Sequence, residues 1–163
     1  PGSLGTFDRT MGHQRGLQGW NWIAGAGEAV EVETGARARL GLQIHRDRED
    51  RARPWVASLK HVICVEGELY KIPDTSFAYS VLNELTGETS PWRIRSAGFD
   101  QGRDGVDLVF EPKQHRLESR HAALSDADFR QAYGPVSGEV RVGGRLWQLE
   151  PFYSVVEDSH LEL

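Results

Sequence analysis

The stretch Gly138-Glu139-Val140-Arg141-Val142-Gly143-Gly144-Arg145-Leu146-Trp147-Gln148-Leu149 decides the fold class. Val140 and Val142 alternate with Glu139 and Arg141. A period of two sets one face of a strand on a core and turns the other to water or a polar lumen. Gly143-Gly144 then separates Gly138–Val142 from Arg145–Leu149. Paired glycines supply the positive φ angles that a tight hairpin turn requires. The segment reads as two antiparallel strands joined by such a turn.

The same pattern recurs outward from it. Glu66-Gly67 separates Ile63–Val65 from Leu69–Ile72 and predicts a second hairpin. Leu40, Leu42 and Ile44 alternate with Gly41, Gln43 and His45, and Val106, Leu108 and Phe110 with Asp107, Val109 and Glu111. Further strands are predicted at Trp20–Val30, Ser76–Leu82, Trp92–Ser96 and Phe152–Glu157. Roughly eight to ten strands in all imply a sandwich or barrel. A barrel is favoured, because closure protects strand edges. The mixed charges of Arg46–Arg53 and the polar Asp100–Gly105 read as loops. Ser125-Asp126-Ala127-Asp128 reads either as a helix cap or as a turn entering a strand at Phe129.

Length and composition bound the rest. At 163 residues, 39% of them apolar and 26% charged, the chain is read as a single β-barrel domain over 1–163. A net charge of -5 without a basic cluster argues against nucleic acid as a partner. No apolar run is long enough to span a membrane, so no membrane partner is expected. The N-terminus has no signal-peptide layout, which makes a cytoplasmic location the expectation. Cys64 is the only cysteine and lies between Ile63 and Val65, so it is expected to be a core thiol. Neither an intramolecular disulfide nor a cysteine-based zinc site can be built from it.

Motifs for chemistry are sparse. Gly25-Ala26-Gly27 has Val30 where a third glycine would complete a phosphate loop, and no helical pattern follows it. No Gly-x-Ser-x-Gly elbow occurs. The six histidines are scattered, and no cofactor is expected. Glu157 and His160 would support acid–base work only if both pointed inward. Trp20-Asn21-Trp22 is the most distinctive short feature. On a strand its two indoles share one face and Asn21 takes the other. Two indoles on one face either fill a core or line a ligand cavity.

These segments, taken in order, resemble a family. They are Leu4–Asp8, Trp20-Asn21-Trp22 with Ala24–Gly27, Val62–Glu68, Pro91–Ile94, Val106–Pro112, Phe129–Gln131 with Tyr133-Gly134 and Ser137-Gly138, and Val156-Glu157 with His160. The chain resembles the second half of a mostly bacterial family of domains of unknown function, grouped with lipocalin-like proteins of the carotenoid-hydratase and AttH type. The resemblance implies an all-β, antiparallel lipocalin-like (calycin) barrel with little helix, the second barrel of a two-barrel protein. It also implies a small, largely apolar ligand held in the barrel cavity and lined by Trp20, Trp22, Gln43, Gln131 and Tyr133, with His61 and Glu157 as the proton-transfer candidates. Cofactor-independent isomerisation, hydration or cyclisation of a polyene or polyketide-like substrate is the enzymatic extension. A non-catalytic structural half, partnered by a second barrel domain or a homo-oligomer, is the other alternative. The chain departs from the family pattern at Leu17-Gln18-Gly19, where polar residues commonly stand, and at Gln43 and Lys60-His61.

Overall fold

The computed structural model describes residues 18–47, 61–122 and 125–162. They form strands β1 (Gln18–Glu31), β2 (Arg37–Asp47), β3 (His61–Val65), β4 (Glu68–Lys71), β5 (Thr75–Ala78) and β6 (Val81–Asn83). Strands β7 (Glu88–Thr89), β8 (Trp92–Ser96), β9 (Gly105–Phe110), β10 (Gln114–Ala122), β11 (Ser125–Val142) and β12 (Arg145–Glu162) complete them. A 3-10 turn at Phe99–Gln101 is the one helical element among the described residues. None of their helices is long and apolar enough to cross a membrane.

One antiparallel sheet runs in the order β4-β3-β2-β1-β12-β11-β9-β8-β5, with β10 also paired to β11. Its two outermost strands are neighbours in sequence, separated only by Ile72, Pro73 and Asp74. Laid flat at ~4.8 Å per strand, nine strands would set β4 and β5 about 38 Å apart. Four trans peptide steps from Lys71 to Thr75 reach at most about 15 Å. The sheet therefore has to curl, and it forms a strongly curved half-barrel consistent with a lipocalin-like fold.

The curl encloses an apolar core. Leu40, Leu42 and Ile63 from one flank meet Ile94, Val106 and Leu108 from the other, with Ile23, Val140, Trp147 and Val156 between them. Burial of this apolar surface is the main force that favours the curled state. Both predicted hairpins form. Glu66 and Gly67 take φ of 47° and 91°, and Gly143 and Gly144 take 59° and 75°. The predicted strand at Trp92–Ser96 has its expected limits.

Other elements differ from the expectation. Phe152–Glu157 is part of β12, which continues unbroken from the hairpin. Pro151 does not interrupt β12, because it falls where the register shifts against both neighbours and no ladder bond needs its missing N–H. Ser125–Asp128 is neither cap nor turn; it begins β11. The predicted 76–82 strand divides into β5 and β6, since Tyr79 leaves the sheet to stack on Trp92 at 3.8 Å. Cys64 is not a core thiol. It faces away from Ile63 and Val65 and is half-buried beside Gly41. Of the charged 46–53 run, Arg46 and Asp47 end β2 and the remainder lies outside the described residues, as do Leu4–Asp8 and Lys60.

Gly25 and Gly27 do not cradle a ligand phosphate. A Cβ on Gly27 would lie 2.3 Å from the Phe152 ring, and one on Gly25 would lie 2.2 Å from Ser154 Oγ. These glycines let side chains of β12 cross closely over β1, the reading of glycine in strands that close approach demands.

Candidate functional site

Strand register assigns every proposed residue to a face, because cross-strand partners project to the same side. Ile44, Ile23, Val156, Ala132 and His115 form one row, on the core side. The next row is His45, Trp22, Glu157, Gln131 and Arg116, on the outer side. Rows above and below it on that outer side place Gln43 with Tyr133, and Trp20 with Ser159 and Phe129. Trp20, Trp22, Gln43, Gln131, Tyr133 and Glu157 thus gather on a single face, opposite the apolar core.

Their polar atoms are connected. Trp20 Nε1 donates to Glu157 Oε2 at 3.3 Å, and Gln131 Nε2 donates to Glu157 Oε1 at 2.9 Å. The Tyr133 hydroxyl donates in turn to Gln131 Oε1. Every donor in the chain points toward Glu157. The Trp20 indole also stacks on the His45 imidazole, with centroids 6.4 Å apart and 19° between planes. Both indoles are half-buried, Tyr133 is 41% exposed, and Gln43 is exposed. The surface combines flat aromatic area with fixed hydrogen-bonding groups.

His61 does not join this set. It pairs with Ile44 and so belongs to the core side, with its Nε2 4.0 Å from Asp74 Oδ1. His61 and Glu157 face opposite sides of the sheet. Glu157 and His160, three residues apart on β12, do so as well. No described residues group as His, Cys, Asp and Glu in a way that would hold a metal ion.

Behind the outer rows lies a cluster that sequence reading missed. Asn21, Asp158 and Arg130 occupy one row on the inner side. Asn21 Nδ2 donates to Asp158 Oδ1 at 3.1 Å, and Arg130 Nη1 lies 3.5 Å from Asp158 Oδ2. Asn21 and Asp158 are each 3% exposed. Arg130 also donates through Nη2 to the exposed Glu84 at 2.6 Å. A buried carboxylate is tolerable only when it is paired and hydrogen-bonded. This one is, and its partners clamp β1, β12 and β11 together directly behind Trp22, Glu157 and Gln131. The available signal was the Asn21 amide, on the face opposite its two tryptophan neighbours.

Residues 1–162 match the family described as a domain of unknown function, DUF2804, and the chain belongs to that family. No curated protein and no solved structure matches it.

Proposed function

With membership of DUF2804 as the premise, we propose that this domain binds a small, largely apolar molecule against the face built by Trp20, Trp22, Gln43, Gln131, Tyr133 and Glu157. One observation carries the reading. On the side of the sheet turned away from the core, two indoles are held half-buried beside a connected set of polar groups. Small-molecule sites combine apolar and aromatic lining with a few polar groups fixed in orientation. The lipocalin-like resemblance of the sequence supports a small apolar ligand as a class, though such barrels hold theirs in the interior and this face lies outside it. Binding is favoured over turnover because the two proton-transfer candidates, His61 and Glu157, face opposite sides.

The test uses a neutral apolar dye such as Nile red, whose emission rises on leaving water. Wild-type protein should bind it saturably. Trp20→Ala and Trp22→Ala should each weaken binding about tenfold, the value of roughly one lost aromatic contact. Equal affinity in both variants and wild type would remove this face from the binding site. A second reading, a seat for another barrel domain, is favoured by the exposed aromatics on the same face, Tyr133 and the 73% exposed Tyr153. That reading gains if Tyr153→Ser abolishes association with a second barrel while dye binding by wild type is absent.

A further inference from the structure

We infer that the Trp20–Glu157 face selects an organic cation, an ammonium group carried on an apolar body; the inference rests on reading that face as a ligand site. Glu157 is half-buried, and its two oxygens accept from two neutral donors, the Trp20 indole and the Gln131 amide. Among the described residues it has no ion-pair partner. The guanidinium nearest in register is Arg116, across from Gln131, and Glu118 engages it. The hydrogen-bond chain from Tyr133 through Gln131 delivers donors to the carboxylate, so the negative charge is fixed in place but not neutralised.

An ionised carboxylate has about four lone-pair sites, and the neutral donors occupy two of them. Glu157 is flanked by indoles on the same face: Trp22 is its partner in register and Trp20 is bonded to it. The face of an indole attracts cations through its quadrupole, most strongly among the aromatic side chains. A ligand cation would meet the carboxylate and an aromatic surface together, whereas an anionic group would be repelled by Glu157. The buried Asp158 lies one row behind, on the other face, and is already engaged by Arg130 and Asn21, so its charge does not compete for the ligand.

The deciding experiment compares benzyltrimethylammonium with neopentylbenzene, its uncharged carbon isostere, by calorimetric titration of the whole chain. The cation should bind at least about tenfold more tightly, and Glu157→Gln should reduce that preference below about threefold. Glu157→Gln keeps the shape and an amide acceptor, and thermal melting checks that it folds. If it does not fold, wild-type protein decides: its preference should fall at least about threefold on going from ~20 mM to ~500 mM salt. Equal binding of the two compounds, lost in Trp22→Ala, would overturn the cation inference and leave the ligand site standing. A preference for the cation that Glu157→Gln and salt both leave unchanged would also overturn it. Absence of binding by either compound would remove the ligand site and the inference together.

Discussion

At Ile23 strand β1 turns an apolar side chain inward, whereas at Asn21, one turn of the pleat earlier, it turns an amide inward and holds indoles on the outer side. Strand β12 makes the same change between Val156 and Asp158, and β11 between Ala132 and Arg130. Three neighbouring strands thus exchange polarity at one level of the sheet. On the apolar side of that level, burial drives the curl. On the other side, a buried ion pair with an amide holds the strands together, and the outer face becomes the aromatic one. An apolar half and a polar half share the same strands without a break in the ladder.

The sharpest way to break this comparison is to remove one member from each half. Ile23→Ala should destabilise by about 3.5 kcal/mol, the transfer loss plus the cavity left in a packed core. Asp158→Ala should cost somewhat less, about 2–3 kcal/mol. It strands a largely buried guanidinium, but Arg130 keeps Glu84 as a partner. Urea unfolding measures both. An Asp158→Ala variant as stable as wild type would mean that the polar half is held by something other than its charges.

The smallest effect lies on the surface and tests burial itself. The backbone N–H of Arg39, and then its side chain, hold the exposed Glu66 carboxyl below its ordinary 4.5. A lowered folded-state pKa adds stability that is present above the unfolded value and is lost as pH falls through the folded one. NMR titration should place Glu66 below 4.5. Glu66→Gln should flatten the acid limb of the stability curve only slightly, and high salt should mask the difference, as expected of a solvent-exposed charge.

The fold was legible where alternation and turn chemistry agree. Val106–Phe110, Leu40–Ile44 and both hairpins needed only local rules. The lengths of β11 and β12 were not legible, because Gly134, Pro135 and Pro151 read locally as interruptions. They are tolerated only through partners distant in sequence. Gly134, for instance, lets the carbonyl of Glu111 approach so closely that a Cβ would lie 1.9 Å from it. The outer residues were individually visible, yet their grouping away from the core depends on the β1–β12 register, which no local pattern encodes. Asp158 was hidden for the same reason: its partners stand on β1 and β11, and nothing within β12 announces them.

The pairing of β1 with β12 also bears on how the protein comes to exist in a cell. Trp20 and Glu157, bonded in the finished sheet, are 137 positions apart in the chain. A ribosome releases β1 long before β12 leaves its exit tunnel. Until then β1 offers an unpaired edge at what will become the middle of the sheet, a template for wrong partners. Such non-local closure is slow to form. During that interval the indoles of β1 lack the carboxylate that later orients Trp20, so a chaperone that shields apolar strands would meet this segment before its partner strand exists.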